Sequence, residues 1–449
     1  MSLALRRYHE ATKHSRLSVR LARPLDWANK PLPFKVYSGL DGIPPPEDVG
    51  RLCLLSNGVL RWRQLSGGGA YGFRAAACTG ALYHVELYLA TAERPDLPAG
   101  LYHYGAHDHQ LRLLRPGDQR GVLLQASGGY RPIAQAPQVF ILTSTIWRNA
   151  WKYRARAYRH AYWDSGVILA NLLALTPAQV VMGFADAEVN RLVGADGERE
   201  VAVALVAVGE EAPPPLEAAR LDELDLPTQP LSARPVRYPE IEAAHAASSL
   251  ASGADAAAWR GVAAPGAWEP PGGEVEAVIR RRRSTREFDG SAITRAQLED
   301  TLATAMAPIP GDSFPPGLVE PFLIVNAVEG LERGAYGSGL EVIRPGDFRR
   351  AAGELALGQE LGRDAAANVY FLSDLDRIFE QFGERGYRVA QMAGGIAGGR
   401  FELAATAAGL GATGLTFFDD KVTRFFEPAA AGRQVMYLAA IGQTSHLQA

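Results

Sequence analysis

Three stretches of this chain recur later in it, in the same order. HVELYLATAERPDLPAGLYHYGAHDHQLRLLRPGD (84–118) parallels VEPFLIVNAVEGLERGAYGSGLEVIRPGD (319–347). KYRARAYR (152–159) parallels QFGERGYR (381–388), and EREVAVALVAVG (198–209) parallels GRQVMYLAAIG (432–442). A period this long lies far outside the range of solenoid repeats, so one whole domain is present twice. The length agrees, since 449 residues exceed what a single core ordinarily serves. The expected organisation is an N-terminal domain over 1–209, a Pro/Ala-rich linker over 210–273 and a C-terminal domain over 274–449. Residues 1–50, irregular and rich in proline, are expected to wrap over the domain that follows them.

Within each copy the pattern is mixed α and β. HVELYLAT (84–91), VFILTSTI (139–146) and VAVALVAVG (201–209) read as buried strands, and GLYHYGAHDHQLRLL as a hairpin. Residues 48–66 read as a helix followed by a turn. Residues 150–175 suit one helix, stopped by Thr176-Pro177. In the second copy FELAATAA reads as a helix and LTFF as a strand.

Composition narrows the class of function. A net charge of −3 gives no field that favours nucleic acid. The only cysteines, Cys53 and Cys78, rule out a disulfide scaffold and a cysteine-based zinc site. His103, His107 and His109 have metal-compatible spacing but sit on the expected hairpin and are absent from its second copy, which favours exposed turn histidines. No metal is expected. The N-terminus lacks the apolar core of a signal peptide, and the apolar run 167–184 is broken by Asn171, Pro177 and Gln179. A cytoplasmic protein without a membrane span is the expectation.

Four motifs carry chemistry. RRRRSTREF (280–288) follows the helical segment GGEVEAVIR, so Arg282, Arg283, Ser284 and Arg286 gather where a helix ends. Guanidinium forks and a hydroxyl suit a phosphate, although a basic helix end can also be merely solvated. ACTGALYHVELY (77–88) is a glycine turn before a strand. Lys152-Tyr153 open KYRARAYR, whose second copy has Gln381-Phe382. GLGATG (409–414) has the G-x-G-x-x-G spacing, but it follows an expected helix and precedes an expected strand, which is the wrong order for a dinucleotide fold.

The order Arg-Arg-Ser-Thr-Arg-Glu-Phe resembles the R-R-S-x-R-x-F signature of nitroreductase-fold flavoproteins. ACTGALYHVELY resembles that family's loop and strand P-S-A-G-A-L-Y-P-x-E-x-Y, departing at Ala77, Cys78 and His84. Members are intertwined dimers with FMN at the interface. One subunit grips the phosphate and the other lays the glycine loop against the flavin ring. The resemblance therefore implies an α+β protein of two fused nitroreductase-like domains, an intramolecular pseudo-dimer acting as a monomer. The grip lies in the C-terminal half and the loop in the N-terminal half. PIPGDSFPPG (308–317) stands where the second loop would be, with Asp312 expected to repel a phosphate.

The implied cofactor is FMN, held by Arg282, Arg283, Ser284 and Arg286 and by Cys78, Thr79, Gly80 and Ala81. Gly411, Ala412, Thr413 and Gly414 would offer backbone N–H groups at the flavin edge, and Arg433 loosely matches a further phosphate ligand. Lys152-Tyr153 resemble the Lys-Tyr pair of the SagB-like and azoline-oxidising branch. That likeness implies catalysis on a modified peptide or small molecule, with oxygen or NAD(P)H as redox partner. A nitro- or quinone reductase using NAD(P)H, and a flavin- or partner-binding protein without turnover, are the alternatives. Tyr153 could serve as base only if its pKa were lowered, for which Arg154 and Arg156 are the candidate neighbours.

Overall fold

The computed structural model describes residues 4–209, 211–215, 217–218, 220–260 and 274–444. The chain forms two compact units, one of residues 25–275 with 309–314, the other of 1–24 with 276–308 and 315–449. This division differs from the expected one by two exchanges. The first residues do not join the domain that follows them in sequence. His9 bonds Tyr387 and Gln434, the Ala4 and Leu5 amides donate to Glu384, and Lys13 pairs with Asp420. Conversely, Asp312 belongs to the N-terminal unit. Its buried carboxylate accepts from the Met182 and Gly183 amides at 2.9 and 2.8 Å, and so is fully occupied.

The N-terminal unit has strands β1 (Val59–Gln64), β2 (Ala70–Arg74), β3 (Val85–Thr91), β4 (Gly100–Gly105), β5 (Gln110–Pro116), β6 (Gln138–Thr145), β7 (Ala178–Val181) and β8 (Glu200–Val208). β1 and β2 form a separate hairpin. The other six make an antiparallel sheet in the order β5-β4-β3-β6-β8-β7. β3, β6 and β8 are buried at every position, which explains why they read as continuous apolar runs. Two helices follow β6: α1 (Ile146–Tyr153) and α2 (Ala157–Leu175). The expected single helix is broken because Arg154 takes φ 53°, ψ −138°, a conformation that ends α1.

The C-terminal unit repeats the plan. Its strands β9 (Glu320–Val325), β10 (Gly334–Tyr336), β11 (Val342–Pro345), β12 (Ala367–Ser373), β13 (Gly411–Gly414) and β14 (Gln434–Gly442) form a sheet in the order β11-β10-β9-β12-β14-β13. The helices after β12 are α3 (Leu375–Phe382) and α4 (Gly386–Ala407). Here the break falls at Gly383.

Several expectations are corrected locally. Val59–Gln64 is a strand, not a turn, because it pairs with β2. GATG is the strand and LTFF is not, because Gly411–Gly414 bond to β14. Residues 220–260 do not hang free. Leu32 and Ser38 donate to Leu231 and Pro227; a short helix expected in YPEIEAAHAASSL forms at Pro239–Ala247, and a second forms at Gly253–Trp259. Of the expected linker, residues 210, 216, 219 and 261–273 lie outside the described residues. No described helix is long and apolar enough to cross a membrane.

Candidate functional site

In the N-terminal unit the glycine turn and the Lys-Tyr pair come together. Thr79–Ala81 form a single 3-10 turn with Gly80 at φ 60°. A methyl group placed on Gly80 would lie 2.9 Å from Tyr153 Oη and 3.3 Å from Lys152 Nζ. Only glycine leaves this surface flat under those two groups. Lys152 Nζ also sits 5.2 Å from the Tyr153 ring centre.

The geometry follows from helix spacing. Asn149, Lys152 and Tyr153 are at i, i+3 and i+4 on α1 and so share a face. His160 and Asp164 are at i and i+4 on α2. Asp164 Oδ1 accepts from the Thr79 amide at 3.0 Å. Its Oδ2 accepts from Thr79 Oγ1 at 2.7 Å, His84 Nε2 at 2.7 Å and Cys78 Sγ at 3.1 Å. Asn149 Nδ2 donates to Thr79 Oγ1 at 2.7 Å, and Asn149 Oδ1 meets His160 Nδ1 at 2.8 Å. The His160 ring then stands edge-on to Tyr153, centres 4.5 Å apart.

Burial pushes the Tyr153 phenol up, and the nearby Asp164 carboxylate adds to the rise. This is opposite to what a tyrosine base requires. Of the two candidate cationic neighbours, Arg156 lies over the Trp163 ring and the Arg154 side chain is exposed. Cys78 is likewise pushed well above its ordinary value by burial and by Asp164, so it is a thiol and not a thiolate. The sulfur, imidazole and carboxylate of Cys78, His84 and Asp164 lie within 4.8 Å of one another. Within the group the Asp164 carboxylate accepts from both Cys78 Sγ and His84 Nε2.

His103 corrects the reading of exposed turn histidines. It is buried in β4 at 3.3 Å from Glu86, whereas His109 sits in the turn and bonds Tyr104. A cavity of about 510 Å³ in the same unit is lined by Lys35, Trp147, Arg148, Arg199, Glu200 and Tyr238, among others, and contains neither the glycine turn nor the Lys-Tyr pair.

In the C-terminal unit the arginine cluster and the second glycine motif come together. The helix Val275–Arg281 ends, and Ser284 bridges Ala412 in parallel register, with the Thr285 amide donating to Ala412 O at 3.0 Å. Arg282 is buried and pairs with Glu402 at 3.1 Å, and Glu402 also takes the Gly414 amide at 3.0 Å. Arg282 thus braces the motif. Arg283 caps the helix through Arg280 O and Arg282 O, Ser284 is half-buried, and Arg286 is exposed. Half-buried hydroxyl and guanidinium donors on one turn suit a phosphate.

Arg433 is placed apart from this cluster. It pairs with Glu320 at 3.0 Å, just before β14, whereas Gly411 and Ala412 pair with Gly442 and Ile441 at the far end of that strand. Eight residues of strand separate it from Ile441, about 27 Å.

Sequence reasoning missed Asp164, Asn149, His160 and Glu402. For the first three a signal existed: the spacing on α1 and α2, and the absence of these residue types from the second copy.

The architecture is that of a nitroreductase-like fold. A model of the nitroreductase family matches residues 279–443. Over 99% of its length the chain is similar to the whole of a protein from Anabaena variabilis described as a nitroreductase, at 28% identity and a TM-score of 0.83. Two partial likenesses are too low to carry an argument. They are the Escherichia coli microcin synthetase McbBCD complex (16% identity, 44% of this chain and 74% of that one, TM-score 0.32) and an FMN-bound nitroreductase of Desulfovibrio desulfuricans (19%, 39% and 90%, TM-score 0.27). No curated protein matches.

Proposed function

We propose that this chain is an FMN-dependent oxidoreductase that dehydrogenates a peptide azoline or a similar substrate. The observation that carries the reading is the meeting of Lys152 Nζ and Tyr153 Oη at Gly80, in the one half that has a flavin-type loop. By the resemblance, Arg283, Ser284 and Arg286 would hold the FMN phosphate, with Arg282 and Glu402 fixing the turn that carries them. Cys78–Ala81 would lie against the ring. When bound, FMN supplies the acceptor for a hydride.

The chain's own residues divide the remaining work. Tyr153 stays protonated and donates a hydrogen bond to the substrate. The proton lost from the substrate goes to Lys152, which must be neutral to accept it, so the rate rises with pH through the Lys152 ionisation. Molecular oxygen is the proposed final acceptor, and the chain works as a monomer.

The test is oxidation of an azoline peptide by flavin-loaded protein. Lys152→Ala and Tyr153→Phe should retain FMN and lose about 10²–10⁴-fold in turnover. Activity within a fewfold of wild type in both variants would sink the reading. The full-length likeness to a protein described as a nitroreductase favours a second reading, an NAD(P)H-dependent nitro- or quinone reductase. Rapid bleaching of bound flavin by NAD(P)H, unaffected by Lys152→Ala, would select it.

A further inference from the structure

We propose that Asp164 is the positioning residue of the Lys152–Tyr153 pair, acting through Thr79 and Asn149 to set α1 against the glycine turn. The inference rests on the functional reading above for what the pair does, and on geometry for the rest.

The hydrogen bonds admit one direction only. An ionised carboxylate can only accept, so the Thr79 hydroxyl proton points at Asp164. Its remaining lone pair then faces the Asn149 amide group, and the Asn149 carbonyl must accept from His160 Nδ1. The same carboxylate takes His84 Nε2–H at 2.7 Å, and His84 Nδ1 meets Ser144 Oγ at 2.8 Å. One charge therefore orders a chain of donors that runs from α2 through the turn to α1. Asn149 lies three and four residues before Lys152 and Tyr153 on one helix face, so the Asn149–Thr79 bond fixes the height and rotation at which those side chains reach Gly80.

The second copy supplies a control. In register with KYRARAYR, the residues matching Asn149, His160 and Asp164 are Ile378, Val389 and Ala393, and those matching Lys152 and Tyr153 are Gln381 and Phe382. Ile378, Phe382, Val389 and Ala393 are all buried. The helix pair thus forms without any of the network, which is not needed to build this fold. Its polar members go together with the Lys-Tyr pair.

Asp164→Asn, Thr79→Val and Thr79→Ser in the full chain loaded with FMN test this in two ways. The first needs no turnover. Cys53 is wholly buried, so alkylation by N-ethylmaleimide reports Cys78. That thiol faces Asp164, His84, Tyr71, Tyr83 and Tyr153, with Arg74 as the nearby cation. Asp164→Asn removes the carboxylate charge and should speed alkylation at pH 8 about tenfold. Unchanged alkylation overturns the proposal, as does stoichiometric zinc in the wild type that Asp164→Asn loses.

The second readout separates positioning from folding. Asp164→Asn and Thr79→Val should lower kcat about a hundredfold with KM within about twofold, and Thr79→Ser should recover at least tenfold of the loss. A loss confined to KM, or equal kcat in Thr79→Val and Thr79→Ser, overturns it. If the wild type oxidises no substrate, the functional reading fails by itself, and the alkylation rates still test whether the Asp164 carboxylate orders the turn at Cys78 and Thr79.

Discussion

In the N-terminal unit α1 and α2 are separated at Arg154, with φ 53° and ψ −138°. In the C-terminal unit α3 and α4 are separated at Gly383, with φ 59° and ψ −156°. The same break is made once by glycine, for which it is unstrained, and once by arginine, for which it is not. Around the arginine the helix faces carry Asn149, Lys152, Tyr153, His160 and Asp164. Around the glycine the matching positions hold Ile378, Phe382, Val389 and Ala393, all buried, although Arg385, Arg388 and Gln391 are buried nearby. On α1, Arg148 pairs with Glu86 at 2.6 Å, both fully buried, whereas the positions matching them in the other unit hold the exposed Arg377 and the half-buried Glu320, which pairs with Arg433 instead. The helix pair thus forms without the Asn149–His160–Asp164 set or a buried Arg148–Glu86 pair, so the N-terminal unit carries these groups for a reason other than building the fold.

The largest stability contrast should come from Glu86. Burial by itself would raise this carboxyl, but Arg148, His103 and Arg74 outweigh it and hold the group well below the usual carboxylate range. A depressed folded pKa gives stability that is present above the unfolded value of about 4.3 and is lost as pH falls below it. Breaking such a buried pair costs about 3–5 kcal/mol. Glu86→Ala should therefore melt well below the wild type at pH 7 and lose less on going from pH 6 to pH 3, as followed by circular dichroism. Equal acid sensitivity in both proteins would remove Glu86 as a distinguishing feature of this half.

A smaller effect of opposite sign is expected at the helix break. Arg154→Gly installs the residue that the C-terminal unit already uses, and relief of the positive φ should add about 1 kcal/mol of stability. A lower melting temperature would mean that contacts of the Arg154 side chain outweigh the backbone strain.

Much of the fold was legible because β3, β6 and β8 are buried on both faces and so appear as unbroken apolar runs. The duplication did the rest, since it showed which residues the two copies share. What was illegible has definite physical causes. The break at Arg154 has no proline or glycine to announce it, and its only signal was Gly383 in the other copy. β13 is a strand because β14 supplies its hydrogen bonds, against the low strand propensity of a Gly-rich segment. Residues 4–14 carry no mark of joining the C-terminal unit, because that docking rests on Glu384, Tyr387 and Asp419, far away in sequence.

Of the site, the Arg-Ser-Thr-Arg turn and the Lys-Tyr pair were readable as motifs. Asp164 showed only in its i, i+4 spacing with His160 and in its replacement by Ala393 in the second copy, because its partners lie 80 to 86 positions away. The tyrosine base was misread because burial, which raises a phenol, is invisible in a motif that looks basic.

Under the proposed function, Arg283, Ser284 and Arg286 of the C-terminal unit hold the phosphate, and Lys152 and Tyr153 of the N-terminal unit act on the substrate. The most direct test counts flavin released on denaturation against protein concentration, in the wild type, Arg286→Ala and Arg433→Ala. The account predicts a ratio near one that Arg286→Ala lowers, because losing a charge-assisted bond costs about 1.5–3 kcal/mol, roughly ten- to hundredfold in affinity. Arg433→Ala should leave the ratio near one, since its guanidinium serves Glu320. A ratio near two, or a ratio that follows Arg433 and ignores Arg286, would contradict it.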